Sequence, residues 1–317
     1  MVWFFIIAAI LVIGFVIFYI AAGKFFDFAF SKDGGKFPES DDGEDHSPWK
    51  NYKEVMKHNV AEAKAENTMK DVWIQSNDGL RLHAYYYPSA DKAKRIILCA
   101  HGFHGSPFLD FAMQLPWLHK MGNLLLIDER THGQSEGKYI TFGAFEKYDI
   151  QKWCEYLNAD NPNHLPIYLY GESMGSGTVM MTSALKLPAE VKGIIADCGY
   201  TSLKDTIKDE AVRMMHFPAY PTIWFLDRMC QNKAGFRIAD ADAEAALRKT
   251  DIPVLFVHGT KDQMVLPENS QKNYAACASK KELLMVEGAQ HVCSYGVEQK
   301  TYESHAEAFF ARCEAAE

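Results

Sequence analysis

The stretch Ile167-Tyr168-Leu169-Tyr170-Gly171-Glu172-Ser173-Met174-Gly175-Ser176-Gly177-Thr178 decides the fold. A short apolar run of strand composition ends in Gly-x-Ser-x-Gly, and an apolar run of helical composition follows. A sharp strand-to-helix turn lifts the serine oxygen clear of the backbone and leaves little room beside it, hence the glycines. The N-terminus of the following helix stabilises negative charge near that oxygen. An ordinary glycine-rich turn is the bland alternative. The order of the other motifs decides against it.

Working outward, further brief apolar runs appear at 95–100 (R-I-I-L-C-A), 123–128 (N-L-L-L-I-D), 193–197 (G-I-I-A-D), 254–258 (V-L-F-V-H) and 283–286 (L-L-M-V). Most are separated by stretches long enough for a helix. Short apolar strands alternating with helices predict an α/β fold, with a mostly parallel sheet covered on both faces. Two earlier strand-like runs, 71–76 and 80–87, flank the turn signal Asn77-Asp78-Gly79. Residues 201–250 break the rhythm and predict a helical cap, rich in Met214, Met215, Phe217, Tyr220, Trp224 and Phe225. In such sheets function gathers at the carboxyl ends of the strands.

Three loops reach that edge with suitable chemistry. Asp262 follows V-L-F-V-H-G-T-K; Asp240, Asp242 and Asp251 precede the strand and belong to its opposite end. An aspartate in a loop is also a common turn or capping residue. His291 follows the last apolar run, in L-L-M-V-E-G-A-Q-H. His258 at a strand end reads as structural, and His305 in the terminal helix as a surface residue. The chain order Ser173, Asp262, His291 gives nucleophile, acid and base. The loop His101-Gly102-Phe103-His104-Gly105-Ser106 predicts an oxyanion hole built from the backbone N–H groups of Phe103 and Met174. His101 and His104 lack a third ligand nearby, so no metal is expected, and a serine mechanism of this kind requires no organic cofactor.

With these motifs in order, residues from about 70 onward resemble the α/β-hydrolase superfamily. The set is H-G-F-H-G-S, D-E-R-T-H-G-Q-S-E-G (128–137), G-E-S-M-G, H-G-T-K-D and G-A-Q-H. The combination is similar to the serine-aminopeptidase-like and Bem46-like branch, which includes membrane-attached bacterial hydrolases. The resemblance implies the α/β-hydrolase fold and a structural role for Asp128, Arg130 and His132. Ser173 argues against dehalogenase or epoxide-hydrolase chemistry, which needs Asp as nucleophile.

The N-terminus is of another kind. Residues 2–22 carry no charge, and as a helix this run spans roughly 30 Å, a hydrocarbon core. A retained single-pass transmembrane helix is favoured over a signal peptide, because no Lys or Arg precedes the run and it is longer than a leader's apolar core. Ala21 and Gly23 form at most a weak cleavage site. Residues 23–48 read as a flexible acidic tether. Residues 49–317 read as the hydrolase domain, opening with a helix capped by Ser47-Pro48 and running to about Asn67. Lys24, Lys32 and Lys36 after the span point to a cytoplasmic catalytic side. Seven scattered cysteines, an odd number, also suit a reducing compartment. The net charge of −8 provides no basic field for nucleic acid.

The expected activity is hydrolysis of a small-molecule or lipid-derived ester or thioester through an acyl-enzyme. Two alternatives stay open. A peptidase needs an acid placed to hold a substrate amine, with Asp205, Asp209, Glu210 and Asp227 as candidates. A catalytically silent membrane-anchored binding protein is disfavoured by the intact Ser173, Asp262 and His291 set.

Overall fold

Every short apolar run anticipated above forms a strand. The computed structural model describes residues 1–34, 49–213 and 219–315, with 210–213 by backbone only. The strands are β1 (Lys70–Gln75), β2 (Arg81–Tyr87), β3 (Ile96–Ala100), β4 (Asn123–Ile127), β5 (Ile167–Glu172), β6 (Val191–Asp197), β7 (Val254–Gly259) and β8 (Lys281–Val286). They make one sheet in the order β1-β2-β4-β3-β5-β6-β7-β8. The β1–β2 and β2–β4 pairs are antiparallel, and all others are parallel. Only β1–β2 is a hairpin, closed at Asn77-Asp78-Gly79; the chain reverses again through residues 88–95 into β3, and each later strand returns by a crossover.

The helices are α1 (Val2–Phe30), α2 (Lys53–Ala65), α3 (Pro107–Asp110), α4 (Leu115–Met121), α5 (Glu146–Ala159), α6 (Met174–Thr182), α7 (Leu203–Arg213), α8 (Ala219–Met229), α9 (Ala243–Leu247), α10 (Glu268–Ala276), α11 (Ser294–Val297) and α12 (Gln299–Glu314). Alternation along β3 sends Leu98 and Ala100 to one face and Ile97 and Cys99 to the other. The first face is covered by residues of α1, α5, α6 and the α7–α9 segment, the second by α2, α4 and α12. Burying both faces is what the uniformly apolar strands require.

Two expectations change. Helix α2 begins at Lys53, with Tyr52 before it, not at Pro48. The anticipated cap Ser47-Pro48 lies outside the described residues, as do residues 35–48 of the anticipated tether. The remaining tether residues through Phe30 are helical. Ala22, Phe26 and Phe30 recur every four residues and are all buried, so α1 continues past its apolar run and docks onto the domain. Phe26 stacks on Phe30 at 5.1 Å and meets Tyr139 edge-on at 5.6 Å. The Ile140 N–H donates to the Phe30 carbonyl at 2.8 Å, and Ser31 bridges Tyr139. Upstream of this seam the most apolar part of α1 is unburied.

Of the large apolar residues named for the anticipated cap, Met214, Met215 and Phe217 fall outside the described residues. Phe225 is buried, whereas Tyr220 and Trp224 are exposed. Helix α9 packs on α6 and α10.

Candidate active site

Strand β5 delivers Ser173 at the carboxyl edge of the sheet. Its φ of 52° and ψ of −113° lie where a residue with a Cβ rarely sits, a conformation costing about 1–3 kcal/mol. The surroundings enforce it. A methyl group on Gly171 would strike the Gly175 carbonyl, and one on Gly175 would strike the Ala100 carbonyl. The Ser173 N–H donates to the Asp197 carbonyl at 3.0 Å, and its carbonyl accepts from the Gly177 N–H at 3.1 Å.

The loops after β7 and β8 bring the other two predicted residues to this serine. His291 Nε2 lies 2.9 Å from Ser173 Oγ, and His291 Nδ1 lies 2.6 Å from Asp262 Oδ2. Both His291 and Asp262 are buried. The Met264 and Val265 N–H groups donate to Asp262 Oδ1 at 2.9 and 3.0 Å. Burial alone would raise the Asp262 carboxyl, but hydrogen bonds from His258 and His291 outweigh it and hold the group well below the usual carboxylate range. Asp262 is therefore an anion at neutral pH. Its hydrogen bond with Nδ1 fixes the orientation of the His291 ring.

His258, read from sequence as structural, is part of this arrangement. Its Nε2 faces Asp262 Oδ2 at 3.1 Å and the Val265 carbonyl at 2.9 Å, so that nitrogen carries the proton. Ser270 Oγ meets the other ring nitrogen at 2.6 Å. A donor of this kind four residues before an acid, across a strand end, has no sequence signature.

The loop after β3 lies against Ser173: a methyl group on Gly102 would stand 3.2 Å from Ser173 Cβ. Its neighbours are tied down. The Gly102 N–H donates to Asp110, and the His104 N–H donates to His132 Nε2 at 3.2 Å. His101 Nε2 accepts from the Glu129 N–H at 3.1 Å. Burial holds both imidazoles neutral, His101 lowered to about 3 and His132 to about 4. Between these clamps the Phe103 N–H has no partner among the described residues, and nor does the Met174 N–H at the start of α6. Asp110 is the residue that sequence reading missed; it sits on a one-turn helix, and nothing in P-F-L-D distinguishes it from a surface acid.

Asp128, Arg130 and His132 serve structure, as the resemblance implied. Asp128 Oδ2 meets His83 Nδ1 at 2.8 Å, and Arg130 reaches Asp149 at 2.6 and 2.8 Å and Asp78 at 3.0 and 3.2 Å.

Behind the serine lies a second acidic group. Glu172 and Asp197 are register partners on β5 and β6, and both are buried. Tyr302 donates to Asp197 at 3.0 Å, Tyr170 to Glu172 at 3.3 Å, and the Gln114 amide to Glu172. One oxygen of each carboxyl has no partner. Burial, then mutual repulsion, raises the Glu172 carboxyl well above its usual value, and burial raises Asp197.

Among the described residues, Cys198, Asp262 and His291 place potential metal-ligand atoms within 4.8 Å of one another. Asp262 and His291 already bond to each other, and burial pushes the Cys198 thiol well up, away from the thiolate a metal needs. All seven cysteines are buried, and none forms a disulfide.

A mostly parallel sheet of this order, with a strained serine at the β5–α6 turn, is the α/β-hydrolase fold. Comparison with known proteins agrees. The family model described as serine aminopeptidase, S33, matches residues 91–234, and that described as serine hydrolase (FSH1) matches residues 197–295. The uncharacterized protein YqkD of Bacillus subtilis is 25% identical over 80% of this chain and 82% of its own. The α/β-hydrolase domain-containing protein WAV2 of Arabidopsis thaliana is 25% identical over 70% of each chain. The Pyrococcus furiosus esterase Pf2001 superposes with a TM-score of 0.62 at 22% identity, covering 77% of this chain and 91% of that one. The family matches make the chain a hydrolase.

Proposed function

We propose that this protein is a membrane-anchored serine hydrolase that cleaves a carboxylic ester or thioester through an acyl-enzyme. The observation that carries the reading is the continuous relay from Ser173 Oγ through His291 to Asp262, at 2.9 and 2.6 Å. Ser173 Oγ attacks the carbonyl carbon while its proton passes to His291 Nε2. The carbonyl oxygen gains negative charge and takes hydrogen bonds from the Phe103 and Met174 N–H groups, each donor supporting about 10²–10³ in rate. The carbon–oxygen or carbon–sulfur bond to the leaving group then breaks, and His291 returns its proton to that group. Water, deprotonated by His291, releases the acid and restores Ser173.

The peptidase alternative has less support. Asp205 accepts from Ser202 at 3.0 Å at the start of α7, and Asp227 holds the Ile238 N–H at 3.0 Å and Arg237 at 3.1 Å. Both acids are engaged in the fold rather than available for an amine. A panel of p-nitrophenyl acyl esters beside aminoacyl p-nitroanilides tests the reading. Turnover of esters, lost in Ser173→Ala, supports it; turnover of anilides alone would replace it with the peptidase, and no turnover of either would favour the binding protein.

The anchor reading assigns residues 2–22 to the membrane and 49–317 to the hydrolase domain, with a helical cap within 201–250. Its support is the unburied apolar run joined, through one unbroken helix, to a buried docking seam. Ala22, inside the weak cleavage motif, is itself buried mid-helix, a poor site for removal of a leader.

A further inference from the structure

Cap helix α8 exposes aromatic surface that the fold does not use. Tyr220 is 76% exposed and Trp224 53% exposed. The same helix lies along α1. Phe15, Phe18 and Tyr19 of α1 all meet the Phe225 ring, at 5.2, 5.3 and 6.0 Å, and Met229 lies beside Gly23. Phe15 to Gly23 is about 12 Å along a helix. Helix α8 therefore runs beside the last part of the apolar run, not beyond its end. If residues 2–22 fill a hydrocarbon core of roughly 30 Å, α8 cannot stand clear of the bilayer. It lies at the boundary between acyl chains and headgroups.

The chemistry of α8 suits that depth. Tyrosine and tryptophan concentrate at membrane interfaces, their rings apolar and their edges polar. Arg228 stands over the Trp224 ring at 5.7 Å, and a long cationic side chain there reaches headgroup phosphates. Exposed Lys24 closes the apolar run of α1. A path of rings also leads from α1 toward the serine. Phe30 meets Phe142 edge-on at 5.5 Å, and Phe142 stacks on Phe103 at 5.3 Å. Phe103 carries one of the N–H groups assigned above to the oxyanion hole.

We propose that α8 is embedded in the interfacial zone of the bilayer, and that the enzyme draws amphiphilic long-chain esters from the leaflet rather than from water. The bilayer is favoured over a second protein copy because α8 packs directly on α1, whose own apolar surface is unburied. The proposal rests on the hydrolase and anchor readings above.

The test uses the full chain in phosphatidylcholine vesicles whose acyl chains are brominated near the headgroup. The native cysteines are buried, so a fluorophore can be placed at Tyr220→Cys, Ile7→Cys or Val297→Cys. The expected result is at least threefold stronger quenching at 220 than at 297. Quenching at 7 but not at 220 overturns the interfacial cap while the anchor stands. Absence at both positions overturns the anchor and this proposal with it, and fluorophosphonate labelling of the same sample reports the hydrolase reading separately. A label at 220 that is shielded only in a concentration-dependent dimer assigns the face to a second copy and overturns the proposal. In parallel, Tyr220→Ser/Trp224→Ser should lose at least tenfold on a vesicle-borne long-chain ester, with less than twofold change on soluble p-nitrophenyl acetate. Equal loss on both substrates contradicts entry from the leaflet.

Discussion

Asp262 and Asp197 stand at the ends of neighbouring strands, both buried, yet their surroundings push them in opposite directions. Asp262 receives hydrogen bonds from His258, His291 and the Met264 and Val265 amides, and its carboxyl is held low. Asp197 receives one bond from Tyr302, keeps an unpartnered oxygen, and faces Glu172; burial raises it. Burial is common to both. The number of donors aimed at the carboxylate decides the sign. One acid is held charged beside His291; the other takes up a proton more readily in the support beneath the serine.

The largest test of this contrast exchanges both acids. Asp262→Asn should lower kcat by about 10⁴, since a neutral amide neither fixes the His291 tautomer nor compensates its charge. Asp197→Asn should lower kcat less than about tenfold, because its hydrogen bond comes from Tyr302 and it bonds neither the His291 ring nor the Ser173 hydroxyl; comparable losses in steady-state ester hydrolysis would dissolve the distinction. Next in size, His258→Leu removes one of the donors that hold Asp262 low. It should cut kcat by roughly tenfold with KM nearly unchanged, and shift the acid limb of the kcat–pH profile upward, since a carboxylate with fewer hydrogen bonds of its own holds a proton on the His291 imidazole more strongly. An unshifted profile would make His258 mere packing.

The smallest effect concerns Asp110, whose carboxyl burial raises to about 6 against the opposing Gly102 hydrogen bond. A folded pKa above the unfolded value near 3.9 contributes stability below that value, and the contribution is lost as pH rises through about 6. Asp110→Asn, which keeps an acceptor for Gly102, should therefore raise Tm relative to wild type at pH 8, with the gain shrinking or reversing at pH 4.5. A gain that grows with acidity, measured by thermal scans across that range, would contradict the assignment.

Much of this was legible in the residues. The glycines flanking Ser173 report a backbone constraint that no other residue meets, and the short apolar runs report strands covered on both faces. The order of Ser173, Asp262 and His291 follows from strand ends reaching one edge. Other features depend on packing that no local pattern encodes. His258 and Asp110 act through partners distant along the chain or around a loop. The docking of α1 is half visible: Ala22, Phe26 and Phe30 form a helical stripe, but the glycines and acids that follow read as a tether.

The central claim is that Ser173 is the residue His291 activates. Intact-mass and peptide-mapping analysis of the full chain after brief exposure to a fluorophosphonate measures this directly. The account predicts one adduct, on the peptide containing Ser173, with labelling slowed by several orders of magnitude in His291→Ala and absent in Ser173→Ala. An adduct on another residue, or undiminished labelling in either variant, would contradict it.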